Sequence, residues 1–316
     1  MLLAWYRRHR RELPWRAAPG AAADPYRVWV SEVMLQQTRV QAAIPYYARF
    51  LERFPTLAVL AAADDADVLA LWSGLGYYRR ARQLRQAAEL VMLRHGGVFP
   101  MEWDAARALP GVGAYTAGAI LSIAGGQPLP AVDGNARRIV RRLAGQPLRL
   151  AEVQTLLAGW LSRRRPGDFN QALMDLGATV CLPRAPRCSV CPLRRLCRSR
   201  GEGPAAPPAA RPQLVTLAYA LARRGARIWL VQRPAAARQL AGMWELPRSP
   251  DASGAPRPNP LATLRHSITT RRITALVYAA AAPPGPGRWF SPRQAQSLPL
   301  TGLARKILRQ CMGWEI

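Results

Sequence analysis

The chain has 316 residues, half of them hydrophobic, and its 45 lysine and arginine residues against 18 acidic ones give a formal net charge of +27. No apolar run is long enough to cross a bilayer and no signal-peptide core is recognisable near the first residue, so we expect a soluble, cytoplasmic bacterial protein. The length predicts two domains. The excess of arginine, spread over the whole chain, favours nucleic acid over a membrane surface as the partner.

Residues 1–200 show the apolar spacing that is typical of helices. Asp24 and Pro25 form an N-cap followed by a proline in the first helical position, and they predict a helix over residues 26–40. This part of the chain is therefore predicted to be a helical domain. Its other predicted helices cover residues 78–95, 104–108, 114–124, 135–143 and 151–163.

Two acidic residues stand out because acid is scarce in this chain. Glu32 lies inside an otherwise apolar and amide-rich helical segment, where an ion pair with one of the many arginines is the ordinary explanation. Asp133 follows an apolar step and opens another predicted helix, where an N-cap is its ordinary role. Taken alone, these two residues favour structural roles over catalytic ones.

Residues 109–113 (Leu-Pro-Gly-Val-Gly) connect two predicted helices. Gly111 and Gly113 permit a tight turn with positive φ, which leaves the backbone N–H groups of the next helix start free to bind a phosphate. A helix–hairpin–helix DNA-binding element fits this pattern, and so does a plain helix connection.

Four cysteines lie within one short stretch: Cys181, Cys188, Cys191 and Cys197. Soft sulfur ligands at these intervals can close around one metal centre. A disulfide framework is disfavoured in a chain of this size without a secretion signal. Zinc prefers two close Cys-x2-Cys pairs and only one is present, so the uneven gaps favour an iron–sulfur cluster over zinc. Cys311 lies apart and is predicted to be a buried structural thiol.

Residues 201–212 are rich in proline and poor in apolar side chains, which predicts an extended linker. Beyond it the pattern changes to short apolar runs separated by glycine and proline. These runs predict a smaller α+β domain over residues 213–316. Its predicted elements are strands over residues 214–221, 227–232 and 273–279 and a last helix over residues 301–310.

Five segments, taken together and in order, resemble the MutY-type adenine DNA glycosylases of the helix–hairpin–helix superfamily. The resemblance implies an all-helical helix–hairpin–helix glycosylase domain over residues 1–200, with an iron–sulfur loop that carries a [4Fe-4S] cluster on the four cysteines. It also implies that the α+β domain over residues 213–316 is Nudix-like. The segments are residues 31–38, 74–78, 109–113 and 132–135 and the cysteines of residues 181–197.

The resemblance implies a reaction, which is hydrolysis of the N-glycosidic bond of adenine mispaired with 8-oxoguanine or guanine in duplex DNA. The adenine must leave the base stack to enter a pocket. By the family pattern Glu32 protonates the leaving adenine, and Asp133 faces the oxocarbenium-like sugar as a carboxylate, either as an electrostatic stabiliser or as a transient nucleophile. We therefore expect a raised pKa for Glu32 in its apolar helix and a lowered pKa for Asp133 at a helix start.

The resemblance also gives roles to residues around these acids. Asn135 would orient Asp133 and water, and Tyr115 would form a hydrogen bond near the same centre. The residues that match the family's adenine pocket are Arg11, Leu13, Trp15, Val40, Gln171 and Met174. The residues that match its wedges into the DNA stack are Leu35, Gln37 and Tyr77, for which core packing is the alternative, most of all for Leu35.

Tyr115 occupies the hairpin position at which the related endonuclease III-like lyases carry a catalytic lysine. Lys306 is the only lysine in the chain, so we expect no β-lyase chemistry and an intact strand after base release. Four arginines lie among the cysteines and are predicted to contact phosphates, with a solvated charge run as the alternative. They are Arg184, Arg187, Arg194 and Arg195.

In the C-terminal part, residues 243–247 fit a strand of the Nudix-like domain, but a Nudix box of clustered glutamates is absent from the sequence. The family's Phe-Ser-His recognition tip is replaced by Ile268, Thr269 and Thr270, of which the two threonines are the predicted lesion contacts. We expect a monomer acting on duplex DNA. The competing hypotheses are a related glycosylase for damaged or mismatched pyrimidines and a non-catalytic iron–sulfur DNA-binding protein.

Overall fold

The computed structural model describes residues 1–18, 20–200, 212–249, 259–268, 270–281, 283 and 285–315. The chain divides into two compact units, the first formed by Met1–Ala62 and Gln83–Pro207 and the second by Ala63–Arg82 and Pro208–Ile316. Residues 63–82 thus group with the C-terminal part, a division that the local sequence pattern does not signal. No helix among the described residues is both long enough and apolar enough to span a bilayer.

The first unit is helical, as predicted. α8 lies at its centre, because α2, α7 and α11 all pack against it and its residues Thr116–Ser122 are all buried. Up to Thr179 the helices of the chain are α1 (Leu2–His9), α2 (Pro25–Leu35), α3 (Val40–Arg53), α4 (Leu57–Ala61), α5 (Asp65–Trp72), α6 (Arg79–His95), α7 (Trp103–Arg107), α8 (Ala114–Ile123), α9 (Gly134–Ala144), α10 (Leu150–Trp160) and α11 (Pro166–Thr179). α5 and the first residues of α6 belong to the second unit.

The helix predicted over residues 26–40 is the main boundary error in this unit. Asp24 does cap it, accepting a hydrogen bond from the Tyr26 N–H at 2.8 Å, but α2 ends at Leu35. Gln37 adopts a positive φ of 58°, a conformation that no α-helix accommodates. The chain therefore turns after α2, and a separate helix begins at Val40.

The described residues of the second unit form a six-stranded mixed sheet in the order β3-β2-β1-β5-β4, with β6 paired to β2. β1 and β5 are parallel and the other pairs are antiparallel. The predicted α+β character is confirmed, although β4 and β6 were not predicted. The elements are β1 (Gln213–Arg224), β2 (Arg227–Gln232), β3 (Trp244–Glu245), β4 (Ala262–Ile268), β5 (Arg271–Ala280), β6 (Arg288–Phe290), α12 (Pro292–Gln296) and α13 (Gly302–Met312).

Residues 63–82 are tied to the rest of the second unit by buried hydrogen bonds. The Ser73 hydroxyl donates to the Leu300 carbonyl at 2.6 Å, and the Tyr78 hydroxyl lies 3.5 Å from the same oxygen. Arg82 donates to the Ala241 carbonyl. These bonds hold the turn of residues 74–78, between α5 and α6, in a fixed place within this unit.

Candidate active site

A cavity of about 810 Å³, called here the site cavity, opens within the first unit. Residues of α2, α8, α9 and α11 and of the loop after α1 form its walls. Both candidate catalytic acids, Glu32 and Asp133, line it although 101 positions separate them in sequence. The helix packing of the first unit therefore brings the two acids to one cavity.

Glu32 is held by Tyr115 across the contact between α2 and α8. The Tyr115 hydroxyl donates to Glu32 Oε2 at 2.6 Å, and Glu32 is only 5% exposed. Burial raises the pKa of Glu32 to about 7; the hydrogen bond from Tyr115 lowers it, and the negative charge of Asp133 raises it. The raised pKa predicted for Glu32 agrees with this environment, and an ion pair with arginine is not the role that the contacts give it.

Asp133 is both a helix cap and a cavity residue. It accepts a hydrogen bond from the Ala136 N–H at 2.6 Å, which caps α9, and another from Asn135 Nδ2 at 2.9 Å. Burial nevertheless raises the pKa of Asp133, since these hydrogen bonds and the charge of Arg138 offset only part of the desolvation. The lowered pKa predicted from its place at a helix start is therefore wrong, because that argument took no account of burial.

Arg138 fixes the orientation of Asn135 and was missed by the sequence analysis. Its Nη2 donates to Asn135 Oδ1 at 2.9 Å and to the Gly177 carbonyl at 2.8 Å, and its Nε donates to the Cys181 carbonyl at 2.9 Å. The Asn135 amide is thereby left with its Nδ2 toward Asp133. The spacing from Asn135 to Arg138, three residues on one helix, was the available signal.

A second missed group lies behind the cavity wall. Asp175 is fully buried and accepts two hydrogen bonds from the Arg16 guanidinium, at 2.7 and 2.9 Å, and one from Arg11 Nε at 2.6 Å. Burial by itself would raise the pKa of Asp175, but the hydrogen bonds and charges of Arg16 and Arg11 outweigh it and lower the pKa. This cluster holds the loop after α1 against α11.

The structure brings most of the predicted pocket residues to the site cavity. Leu35 is partly exposed at its wall, so full core packing does not describe it, and Gln37 is exposed with its positive φ. The predicted residues that line the cavity with Glu32, Tyr115, Asp133 and Asn135 are Arg11, Leu13, Trp15, Leu35, Gln37, Val40, Gln171 and Met174. Their individual roles stay predictions.

The remaining predicted DNA contacts lie elsewhere. Tyr77 and Thr270 belong to the second unit, where Thr270 is exposed in the turn between β4 and β5. Thr269 lies outside the described residues. In the hairpin of residues 109–113 only Gly111 has a positive φ, of 77°, whereas Gly113 is the N-cap of α8 with φ −86°. The tight turn that the two glycines were expected to permit therefore uses a positive φ at Gly111 alone.

The four cysteines of residues 181–197, the cysteine loop, line one pocket with Arg142. All four are half-buried free thiols, so the disulfide alternative is not what the structure shows. Within the described residues no three His, Cys, Asp or Glu side chains converge closely enough to hold one metal ion. Burial raises the pKa of Cys191, and the charges of the other three cysteines raise it further.

Comparison with known proteins bears on the first unit. Residues 30–160 match a family described as the HhH-GPD superfamily of base excision DNA repair proteins. The adenine DNA glycosylase of Mycolicibacterium smegmatis is 42% identical over 206 residues, which cover 64% of this chain and 69% of that protein. The human adenine DNA glycosylase is 49% identical over 210 residues, which cover 63% of this chain and only 38% of that protein, so the chain spans well under half of this relative.

Among solved structures, a thermostable thymine-DNA glycosylase is similar with a TM-score of 0.59 and 28% identity, over 64% of this chain and 94% of that chain. The segment that matches the family contains Glu32, Tyr115, Asp133 and Asn135. The cysteine loop lies outside that segment.

Proposed function

Since this chain belongs to the adenine DNA glycosylase family, we propose that it hydrolyses the N-glycosidic bond of adenine mispaired with 8-oxoguanine or guanine in duplex DNA, acting as a monomer. One observation carries the proposal: Glu32, with a pKa near 7 and a tyrosine donor at 2.6 Å, faces the same cavity as Asp133. A proton donor and a carboxylate beside one pocket are what departure of a base from a sugar requires.

Glu32 is the proton donor. With a pKa of about 7 it keeps its proton in roughly half of the molecules at neutral pH and can give it up to adenine within the cavity. Because the Tyr115 hydroxyl donates to Oε2, the other oxygen, Oε1, is the one that carries the proton. The same hydrogen bond stabilises the carboxylate once the proton has moved to the base. Protonation converts adenine into a neutral leaving group.

Asp133 faces the positive charge that the sugar develops. Its two oxygens are occupied by the Ala136 N–H and the Asn135 amide, and both hydrogen bonds favour the carboxylate over the acid. Arg138 keeps the Asn135 amide turned toward Asp133. The sugar cation adds a further stabilising charge only as the bond breaks, so Asp133 contributes most in the transition state.

Strand cleavage is not part of the proposed reaction. A β-lyase forms a Schiff base between a lysine amine and the sugar. Lys306 is the only lysine of the chain; it lies on α13 in the second unit and donates to the Arg265 carbonyl at 2.7 Å. The product is then an abasic site in an intact strand.

The cysteine loop is proposed to hold a [4Fe-4S] cluster through Cys181, Cys188, Cys191 and Cys197. When bound, this group would cross-link the loop. The loop presents exposed arginines whose charge suits the phosphates of the duplex. They are Arg184, Arg187, Arg194 and Arg195.

The second unit is proposed to be the Nudix-like part that recognises the base opposite adenine. The turn between β4 and β5 supports this role, because Ile268 pairs with Arg271 and the exposed Thr270 lies at its tip. Glu245, the glutamate of the residue 243–247 segment, is held in an ion pair with Arg233 at 2.7 Å. Preference for 8-oxoguanine over guanine depends on this tip.

The test is release of free adenine from duplexes that carry adenine opposite 8-oxoguanine, guanine or cytosine. We expect release from the first two, no strand break until alkali or heat is applied, and loss of about 10²–10⁴-fold in the rate of Glu32→Gln. Retained duplex binding by Glu32→Gln would separate catalysis from binding. Normal turnover by that variant would overturn the assignment of the acid.

The competing functions predict different products. Thymine release from a thymine:guanine duplex would favour the pyrimidine alternative, for which the similarity to a thymine-DNA glycosylase is the supporting observation. Binding without release of any base would favour a non-catalytic DNA-binding protein. Borohydride trapping of a protein–DNA adduct would contradict the absence of lyase chemistry.

A further inference from the structure

The turn of residues 74–78 places an aromatic side chain in an unusual backbone conformation. Tyr77 has a φ of 50°, directly after Gly76 with a φ of 75°, and is 40% exposed. A non-glycine residue in this region of φ is uncommon and is retained only where its surroundings enforce it. The turn therefore contains an element that holds Tyr77 in place and turned toward solvent.

Arg80 is that element. The carbon of its guanidinium group lies 5.4 Å from the Trp72 ring centroid and 5.5 Å from the Tyr77 ring centroid. Its Nη2 donates to the Gly76 carbonyl at 3.0 Å and its Nε to the Tyr77 carbonyl at 3.4 Å. The same side chain therefore contacts the ring of Tyr77 and both carbonyls that flank its unusual φ.

Because Arg80 is buried, it cannot bind a DNA phosphate directly, which is the role expected of the exposed arginines of this chain. Arg80 is 8% exposed, whereas its neighbour Arg79 is exposed. Burial lowers the pKa of Arg80 to about 10, so the guanidinium still carries its charge at neutral pH. A charge enclosed in this way cannot form a close contact with a phosphate, and its energetic cost has to be offset by the turn that it supports.

We propose that Arg80 is a positioning residue for DNA recognition, whose buried guanidinium holds Tyr77 in the conformation that presents its ring to the base stack of duplex DNA. This inference rests on the proposed function, in which Tyr77 is a wedge. A rigid, preorganised aromatic side chain opens the stack at a lower cost than a mobile one, because it loses less conformational freedom on binding. Trp72 Nε1 supports the arrangement by donating to the Gly76 carbonyl at 3.2 Å.

The experiment compares four single variants of the full chain and the double variant that combines Arg80→Met with Tyr77→Ser. Arg80→Met keeps an unbranched apolar stem and removes the guanidinium and its charge, and Arg80→Lys keeps the charge and removes the planar fork. Arg79→Met removes an exposed charge one position away and is the matched control. Tyr77→Ser removes the ring. Each is assayed for its Tm, for single-turnover adenine release, and for the fluorescence of 2-aminopurine placed beside the mispair as a report of unstacking.

We expect Arg80→Met to lose about tenfold in both the 2-aminopurine response and the single-turnover rate, and Arg80→Lys to lose about threefold. Arg79→Met should keep both signals. Affinity for undamaged duplex, which depends on exposed charge, should not fall further in Arg80→Met than in Arg79→Met. In the Tyr77→Ser background, Arg80→Met should add no further loss, because the ring that it positions is already absent.

Two results would overturn the inference. One is an equal loss from Arg80→Met with and without the Tyr77 ring, which would mean that Arg80 acts independently of Tyr77. The other is a wild-type 2-aminopurine response from Tyr77→Ser, which would show that Tyr77 does not act as a wedge. If Arg80→Met does not fold at the assay temperature, the same comparison is made with Arg80→Lys. A chain that unstacks 2-aminopurine but releases no adenine would contradict the proposed function and leave the role of Arg80 intact.

Discussion

Two buried carboxyl groups of the first unit, those of Glu32 and Asp175, are similarly enclosed and have opposite tendencies to keep a proton. Glu32 accepts a hydrogen bond from the neutral hydroxyl of Tyr115, and its pKa is raised to about 7. Asp175 accepts hydrogen bonds from the guanidinium groups of Arg11 and Arg16, and its pKa is lowered. Burial raises the pKa of both groups, so it is the charge of the donors that decides the protonation state.

The hydrogen-bond environment of Asp133 is intermediate between those of Glu32 and Asp175. Its donors, the Ala136 N–H and the Asn135 amide, are neutral, and its pKa is raised by burial in spite of them. Compared with Glu32 it has one more donor and a helix start behind it. The number and charge of the hydrogen-bond donors therefore distinguish the three buried carboxyl groups, and the proposed roles of Glu32 as an acid and Asp133 as a carboxylate follow that distinction.

The largest effect is expected where a full charge pair is broken. Asp175→Asn should lower the free energy of unfolding by about 3–5 kcal/mol, since it leaves the buried Arg16 guanidinium without its partner. The folded-state pKa of Asp175 is lowered, so its contribution is present above the unfolded pKa and is lost as the pH falls. Urea denaturation should therefore show nearly the same difference at pH 7 and pH 5 and a smaller one at about pH 3, below the unfolded pKa of an aspartate.

Asp168 on the same helix provides the control for that measurement. It forms an exposed ion pair with Arg165 at 3.6 Å, so Asp168→Asn should cost less than about 1 kcal/mol. Equal costs at the two positions would contradict the view that the Asp175 cluster holds the loop after α1 in place.

Asp133→Asn should separate the two roles of this residue. Asparagine caps a helix about as well as aspartate, so the Tm should change little. The rate of adenine release should nevertheless fall by about 10²–10³-fold, because the charge opposite the sugar is lost. Asp24→Asn, at the N-cap of α2, is the control and should alter neither quantity. A fall in Tm that accounts for the lost activity would reduce Asp133 to its capping role.

Structural features that depend on residues close together in sequence could be predicted, whereas those that depend on distant residues could not. β2 was predicted with its observed ends and α8 within one residue, because periodicity and caps are local. The end of α2 was missed because no residue near Gln37 in the sequence signals its positive φ. Glu32 and Asp133 were recognised only through the whole set of motifs.

The energetics of the site were less predictable than its residues. Asp175 and Arg16 are 159 positions apart, so their ion pair exists only in the folded chain. The helix start at Asp133 could be predicted, but the depth of its burial could not, and the expected direction of its pKa was wrong for that reason. The grouping of residues 63–82 with the second unit depends on hydrogen bonds such as Ser73 to Leu300, again over a long separation.

Ionisation of the buried Glu32 should destabilise the folded protein. Its folded-state pKa is raised above the unfolded value, so stability is lost as the pH rises past the unfolded pKa, and the loss is complete above about pH 7. Glu32→Gln should therefore raise the free energy of unfolding at pH 8 by up to about 3 kcal/mol and much less at pH 5. Glu52→Gln, at an exposed position, is the control variant. A Glu32→Gln variant less stable than wild type at pH 8 would contradict this account.

The smallest effect is a displacement of the pH profile. In the proposed reaction adenine release requires protonated Glu32, so the rate of the wild type should fall as the pH rises through about 7. The hydrogen bond from Tyr115 lowers the pKa of Glu32, and Tyr115→Phe removes it; the alkaline limb of the profile should therefore move to higher pH, within about one unit. The rate at the optimum should fall less than about tenfold, because the proton donor itself is retained. Single-turnover rates measured from pH 5 to pH 9 would reveal the direction, and a limb that moves to lower pH would mean that Tyr115 favours the protonated form of Glu32 rather than its carboxylate.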